Sequence, residues 1–242
     1  MKPNPKLVMI AALEREIRPL VKGWNAVERE HEGRRFRFYE GGDRVLVCAG
    51  IGFQPARRAA EAAIALYQPA RIQSVGFAGA LLPNVKVGEV FIPAIVINGK
   101  DNSRSETGVG EGKLLSFDSV VGVAQKSKLA EAYGAQAVDM EAAAVALAAH
   151  AHQMEFSAVK AISDEVGFEM PPMDHFISPE GGFQTGRFIA FSAIRPWLWT
   201  SLARLATNTS RATRSLCAYL KDQQEGKARD FSESKASFAS SK

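Results

Sequence analysis

Short apolar runs alternate with helical segments along most of the chain. Lys6–Ala12 (KLVMIAA) is one such run, followed by LEREIRPLV. Arg44–Gly50 (RVLVCAG) is another, and a glycine-rich turn leads from it into the helix PARRAAEAAIALY at Pro55–Tyr67. Arg71–Gly79 (RIQSVGFAG) and Gly88–Asn98 (GEVFIPAIVIN) come next. Beyond them KLLSFDS, AQAVDM and FSAVKAIS read as strands, alternating with SKLAEAYG and an alanine-rich helix. Apolar runs without strict alternation belong to strands covered on both faces, and a β-α rhythm belongs to a mostly parallel sheet. The expected architecture is α/β, a single domain with a mixed, mostly parallel central sheet flanked by helices.

Some segments break this rhythm. Residues 99–112 (GKDNSRSETGVGEG) are polar and glycine-rich, which predicts a surface loop. Residues 223–242 are polar and poor in aliphatics, so the domain is expected to occupy 1–222 and a disordered tail to follow. Before that tail, Arg187–Leu220 reads as helix with Phe, Trp and Leu interleaved with Arg195, Arg204, Arg211 and Arg214. Such a helix either docks on the sheet or makes peripheral contact with a membrane surface.

Composition narrows the picture a little. Of 242 residues, 46% are hydrophobic and 23% charged, ordinary values for a globular protein that buries a sizeable core. A net charge of +4 allows anionic ligands but does not indicate nucleic acid. The two cysteines show no metal or disulfide spacing, and Cys48 lies inside an apolar run. No run approaches the roughly 18–20 apolar residues needed to span a bilayer, and no signal-peptide layout is seen, so a cytoplasmic location is expected.

Candidate chemistry concentrates in the unit from Ala135 to Asp164. AQAVD is a strand, AVALAAH lies in a crossover helix, and FSAVKAIS is the next strand. A right-handed crossover makes those strands parallel, which places Glu141 and Asp164 on one sheet edge. Glu16 also follows a strand, and ligands of open α/β sheets bind at that edge. Local roles explain each acid as well. Asp139 can cap the helix with Glu141 in its first turn, Asp164 can cap the turn DEVG, and Glu14 can pair with Arg18 beside a solvated Glu16.

The combination of VDMEAAAVA with AISD, preceded by AALERE and GFAGAL, resembles the nucleoside phosphorylase superfamily. Within it, the methylthioadenosine/S-adenosylhomocysteine nucleosidases and the hopanoid-associated nucleoside phosphorylases are the nearer branch, and the likeness spans roughly residues 6–190. The resemblance implies that Met140 packs under a ribose and Glu141 accepts from its hydroxyls. It implies that Asp164, with Ser163 beside it, protonates or hydrogen-bonds N7 of a departing purine, and that Glu16 activates water. Gly79 and Phe77 fall in the glycine-rich loop of the pocket, and Val120 near the position of the aromatic that stacks on the purine. The chemistry suits these residue types. Breaking an N-ribosidic bond gives an oxocarbenium-like sugar that a carboxylate stabilises, and a purine leaves well only when protonated. To carry that proton, Asp164 needs a raised pKa, from burial or from neighbouring carboxylates.

This chain departs from the family at several positions. Phe77 stands where the nucleosidases have a small polar residue near the water, and Ser74 where hexameric phosphorylases have a phosphate-binding Arg. Lys160 replaces the usual Arg, and the 99–112 loop is shorter than the family's. Two nucleophiles stay open. Glu16 favours water and hydrolysis, whereas Arg15, Arg57 or Arg58, together with Gly52 in the turn AGIGFQP, would favour phosphate as co-substrate. That turn lacks the third glycine of a dinucleotide loop. His150 and His152 are spaced i, i+2 and point apart, His175 reads as a surface residue, and no metal site is indicated.

The expected activity is cleavage of a purine (adenine-type) nucleoside by hydrolysis, with no cofactor and with a small-molecule nucleoside as partner rather than nucleic acid. The alternatives are phosphorolysis, possibly of a lipid-linked adenosyl substrate, and nucleoside binding without turnover. By resemblance the chain forms a homodimer or higher homo-oligomer.

Overall fold

The computed structural model describes residues 5–178 and 180–226. Its layering follows from the first strand, β1 (Leu7–Ala11), in which every residue is buried. Val8 and Ile10 enter one hydrophobic cluster, while Leu7, Met9 and Ala11 enter another. A strand that is apolar on both faces requires cover on both. The chain continues through α1 (Glu14–Val21), β2 (Asn25–His31), β3 (Arg34–Gly41), β4 (Arg44–Cys48), α2 (Phe53–Tyr67), β5 (Arg71–Ala80), β6 (Val90–Phe91) and β7 (Ile95–Asn98). It ends with β8 (Arg104–Glu106), β9 (Lys113–Ser116), α3 (Val123–Tyr133), β10 (Ala137–Asp139), α4 (Ala142–Ala151), β11 (Glu155–Asp164), α5 (Thr185–Ala193) and α6 (Trp199–Gln224).

The sheet runs β2-β3-β4-β1-β5-β10-β9-β7-β8, with β11 on β5 and β6 on β11. It is α/β and mixed, as the pattern predicts. Parallel pairs join β1 to β4 and β5, β5 to β11, and β9 to β7 and β10. One face is covered by α2 and α4, which pack on each other through Ala56, Ala59, Ala60 and Ala63 against Ala144 and Ala148 and their neighbours. Methyl side chains let the two helices approach the sheet and one another closely, so a larger residue there has no room. The other face is covered by α1 and α6, through Ile17, Leu20, Leu216 and Leu220.

The geometry of β5 creates the cleft. Its first residues, Arg71–Ser74, pair with β1, while Gly79 and Ala80 pair with β10 on the same side. Between them β5 changes neighbours. β11 pairs along its opposite side, and both Val138 of β10 and Asp164 of β11 are in register with Gly79.

Several expectations need correction. β10 runs antiparallel to β5 and β11 parallel to it, so β10 and β11 are not the parallel pair that a right-handed crossover implies. The crossover rule holds for neighbouring strands within one continuous sheet, whereas this three-residue strand lies beyond the switch in β5. The acids still line one cleft, because both strands flank the same residue of β5. The hairpin β2-β3 was not anticipated. It is a charged edge ribbon closed by Glu32 and Gly33, both at positive φ (50° and 71°), as a two-residue hairpin turn requires. The expected loop at 99–112 includes β8, paired with β7. The expected single helix at 187–220 is divided by a 3-10 turn at Pro196–Leu198, since a residue preceding proline is driven out of the helical region, and Arg195 has φ −131° and ψ 79°.

The helix α6 also passes the expected boundary at 222. It runs to Gln224 with Gln223 buried, and the remainder of the expected tail, 227–242, lies outside the described residues. Arg44 on β4 donates to the carbonyls of Leu220 (3.4 Å) and Gln223 (2.9 Å), so a guanidinium closes the C-terminal end of α6. Replacing it (Arg44→Met) is expected to lower the unfolding free energy by about 1–2 kcal/mol, from the charged hydrogen bonds lost at a helix end. Urea denaturation checks this, and an unchanged midpoint would refute the anchoring role.

Candidate active site

The floor of the cleft is a buried ion pair. Asp139, the last residue of β10, has its carboxylate filled by donors. Oδ1 accepts from the Ser116 hydroxyl at 2.6 Å, and Oδ2 accepts from the Ala142 N–H at 2.9 Å and from Lys160 Nζ at 2.8 Å. Asp139 thus caps the first turn of α4 while balancing a lysine. Ser116 Oγ in turn accepts from the Ala143 N–H at 2.9 Å, and Lys160 also donates to Ser74 Oγ at 2.9 Å. Burial disfavours the Lys160 charge, but Asp139 and Glu141 outweigh it, and its pKa lies above the ordinary lysine range.

Glu141 stands at the N-terminus of α4. Its Oε1 accepts from the Gly52 N–H at 2.8 Å and its Oε2 from the Met140 N–H at 3.3 Å. Burial, and then the negative charge of Asp139, push its pKa up to about 7. Glu16 reaches the same space from α1. Burial first and Glu141 second raise its pKa to about 8, with Lys160 and Arg15 acting in the opposite direction. Its Oε2 is buried and has no hydrogen-bond partner among the described residues. The carboxylate lies against Gly76, where a Cβ would stand 2.8 Å from Oε2 and the backbone φ is +148°, so only glycine leaves room for it.

Asp164 occupies the far end of the cleft, at the close of β11. The Ser163 hydroxyl donates to its Oδ1 at 2.7 Å, and the Lys126 ammonium pairs with its Oδ2. Lys126 Nζ also donates to the Glu165 carbonyl at 2.8 Å. Both side chains are buried. Burial or a neighbouring carboxylate was expected at Asp164; it is buried, and the charged group beside it is a cation. Gly79 is again the residue that permits the approach, since a Cβ there would meet Asp164 Oδ2 at 2.8 Å.

These groups line one cleft of about 420 Å³. The structure brings Glu16, Met140, Glu141, Ser163 and Asp164 to it, together with Arg15, Phe77, Gly79 and Val120. The Gly52 N–H donates to Glu141. Arg15 sits over the Phe183 ring, 5.6 Å from its centre, and Arg57 and Arg58 face away from the sheet as exposed residues of α2. His175 and His150 are exposed, and His152 pairs with Glu61 at 2.7 Å. Among the described residues no group of three His, Cys, Asp or Glu side chains is placed to hold a metal ion.

Two features went unnoticed in the sequence. Lys126 lies upstream of the segment expected to be helical, in a stretch whose polarity gives no hint of burial. The outer wall is apolar and comes from the end of the chain, through Met170, Met173 and Ile177, Phe188 of α5, and Leu202 and Leu205 of α6. The cleft therefore carries carboxylates with raised pKa values at one end, a carboxylate-lysine pair at the other, and hydrophobic sides. Such an arrangement can exchange protons with two different atoms of one ligand.

Comparison with known proteins identifies the family and the fold. The phosphorylase superfamily model matches residues 6–119 and 109–176. No curated protein sequence matches. Among solved structures, the 5′-methylthioadenosine nucleosidase of Arabidopsis thaliana has a TM-score of 0.69 at 21% identity, over 96% of this chain and 99% of that one. The Helicobacter pylori 5′-methylthioadenosine/S-adenosyl homocysteine nucleosidase gives 0.68 at 15% identity, over 91% and 98%. The futalosine hydrolase of the same organism gives 0.66 at 16%, over 90% and 96%. At these identities the structural likeness concerns the fold, while the family match itself spans well over half of the chain, and the chain belongs to the phosphorylase superfamily of enzymes.

Proposed function

We propose that the chain cleaves the N-glycosidic bond of a purine nucleoside, of the adenine type, by hydrolysis and without a cofactor. One observation carries the reading. Glu16 and Glu141 stand together at one end of a nucleoside-sized cleft whose other end is Asp164, and Glu16 Oε2 has no protein donor. Met140 packs under the sugar and Glu141 accepts from its hydroxyls. As the bond to the base lengthens, positive charge grows on the sugar, and the buried carboxylates face it in a medium where such interactions are strong. Glu16 takes a proton from the attacking water, and Asp164 engages the nitrogen of the leaving base. Val120 supplies an aliphatic wall for that base. The similar solved structures named as nucleosidase and hydrolase are in keeping with this chemistry.

Phosphate fits less well. Gly52 and Lys160 are committed to Glu141 and Asp139, and two carboxylates repel an anion. Of the arginines expected to favour phosphate, Arg15 lines the cleft, whereas Arg57 and Arg58 are exposed on α2.

A second reading concerns the nucleoside's 5′ side. The segment that forms the outer wall also exposes Ile189 (61%), Ile194 (73%), Trp197 (71%) and Trp199 (56%), with Arg187 exposed beside them. Tryptophan and arginine flanking aliphatics suit a lipid headgroup boundary. No described helix is long and apolar enough to cross a membrane. In this reading the exposed patch makes peripheral contact with the membrane, and a lipid-linked adenosyl substrate enters along the apolar wall.

Purified protein assayed with methylthioadenosine, adenosylhomocysteine, adenosine and inosine, with and without phosphate, is expected to release base without phosphate. Release that requires phosphate would replace hydrolysis by phosphorolysis, and no release from any of them would leave nucleoside binding without turnover.

Ionisation of Glu16 and Glu141 is required for both roles, so kcat/KM should rise with pH through about 7 to 8. Glu16→Gln should lower kcat about 10²–10⁴-fold, the usual worth of a general base. The sign for stability is opposite to that for activity. Folded Glu16 holds its proton up to about 8, against 4.5 for an ordinary carboxyl, so folding loses stability as pH rises across that window. Glu16→Gln should therefore raise the melting temperature at pH 8.5 more than at pH 5. Equal shifts at both pH values would contradict the burial argument.

Liposome flotation tests the membrane reading. The protein should bind anionic vesicles and lose binding as the pair Trp197→Ala and Trp199→Ala. Equal flotation of this pair would remove the reading, and a concentration-dependent mass lost in the pair would assign the patch to a homo-oligomer contact.

A further inference from the structure

Lys126 is a buried ammonium that the mechanism above leaves without a task. It is the only fully buried residue of α3, a helix whose other positions are exposed or half-buried. Lys128, two residues on, is exposed, as a lysine on such a helix ordinarily is. Burying a lysine costs side-chain entropy and hydration, and an aliphatic residue would fill the same place at lower cost. The fold does not need the charge, so the cleft is the place to look for its use.

Its partners are informative. Two of its N–H donors go to Asp164 Oδ2 and to the Glu165 carbonyl, and Lys126 itself lines the cleft. Asp164 is surrounded by donors, Ser163 on one oxygen and Lys126 on the other. A carboxylate so placed accepts at both oxygens, while the leaving purine requires a proton.

We propose that Lys126 is the proton source for the departing base, acting through Asp164. The inference rests on the nucleosidase reading. In the step, the C1′–N bond breaks and its electron pair passes to the base. Asp164 hands a proton to a ring nitrogen while taking one from the Lys126 ammonium, which is left as a neutral amine. Water bonds to C1′ and its proton passes to Glu16. Between turnovers the proton on Glu16 returns through solvent to Lys126, so atoms and charges balance. Lys126 touches no substrate atom in this scheme and is a positioning residue. Its neutral form is generated only as the base leaves, which confines the transfer to the bond-breaking step.

The experiment compares leaving groups that do and do not need a proton. Wild type, Lys126→Met and Lys126→Arg are assayed on a purine nucleoside that the wild type cleaves and on p-nitrophenyl riboside, whose nitrophenolate leaves unprotonated. Lys126→Met is expected to lose about 10²–10³-fold in kcat on the purine, the worth of a general acid, and to stay within about threefold on p-nitrophenyl riboside. Its residual purine cleavage should fall steadily with rising pH, and Lys126→Arg should recover part of the loss. In an Asp164→Asn background, Lys126→Met should cost nothing further on the purine. Equal losses on both substrates, as a merely structural ion pair would give, would overturn the proposal, and so would full activity of Lys126→Met on the purine. If Lys126→Met does not fold, the Lys126→Arg comparison decides. Equal losses there on both leaving groups overturn the proposal, and a loss confined to the purine supports it. A wild type that cleaves no nucleoside refutes the underlying reading, which separates that failure from one of Lys126 alone.

Discussion

Lys160 reaches the floor of the cleft from the middle of β11, a strand buried along all but its first residue, and its ammonium meets Asp139 at 2.8 Å. Four carboxylates face this region, Glu16, Asp139, Glu141 and Asp164, and carboxylates confined together in a buried space repel one another and resist ionisation. Lys160 makes the arrangement tolerable. Its charge acts against the rise in both Glu16 and Glu141, and through Asp139 it secures the first N–H of α4, from which Glu141 projects. Ser116 of β9 and Ser74 of β5 complete the same network, so four strands and one helix are registered on a single buried charge pair. Removing one partner of such a pair generally costs about 3–5 kcal/mol, because the other is left buried and uncompensated. Fold and site therefore stand on the same contact.

The remaining strain in the cleft is its working capital. Glu16 and Glu141 are held near neutrality by burial, at a cost to stability that rises with pH, and a better-solvated carboxylate would be a weaker base. The glycines at 76 and 79 belong to the same constraint, since each allows a carboxylate to approach the backbone of β5 more closely than any side chain would permit. Only where β5 passes from β1 to β10 is its edge open to a ligand.

Much of this was legible in the sequence, though not always for the right reason. The apolar runs give the strands, and the alanines of α2 and α4 give a close-packed layer, because both follow from burial alone. Glu141 and Asp164 were placed together by assuming parallel strands. They share one cleft because β10 and β11 flank Gly79 from opposite sides, a consequence of the switch in β5 that no local pattern encodes. The hairpin β2-β3 escaped notice because an edge ribbon buries few side chains and carries charge along much of its length. Asp139 read as a helix cap, which it is, but its tie to Lys160 spans 21 residues and could not be seen from capping rules. Lys126 was invisible for a simpler reason. It stands in QKSK, where polarity predicts solvent, and only the tertiary path of α3 turns one of those lysines toward Asp164.

The two ends of the cleft differ in how charge is matched, and the difference gives the site a direction. Around Glu16 and Glu141, burial first and then carboxylates that outnumber the opposing cations raise the pKa values, so protons can be exchanged there near neutral pH. Around Asp164 one carboxylate is met by one ammonium and one hydroxyl donor. The first environment suits the acceptance of a proton, and in the second the carboxylate accepts from its two neighbours. Both can exist within one 420 Å³ cleft because α1 and α4 bring acids to one end while α3 brings a lysine to the other. Similar carboxylates take different parts where the fold gives them unlike neighbours.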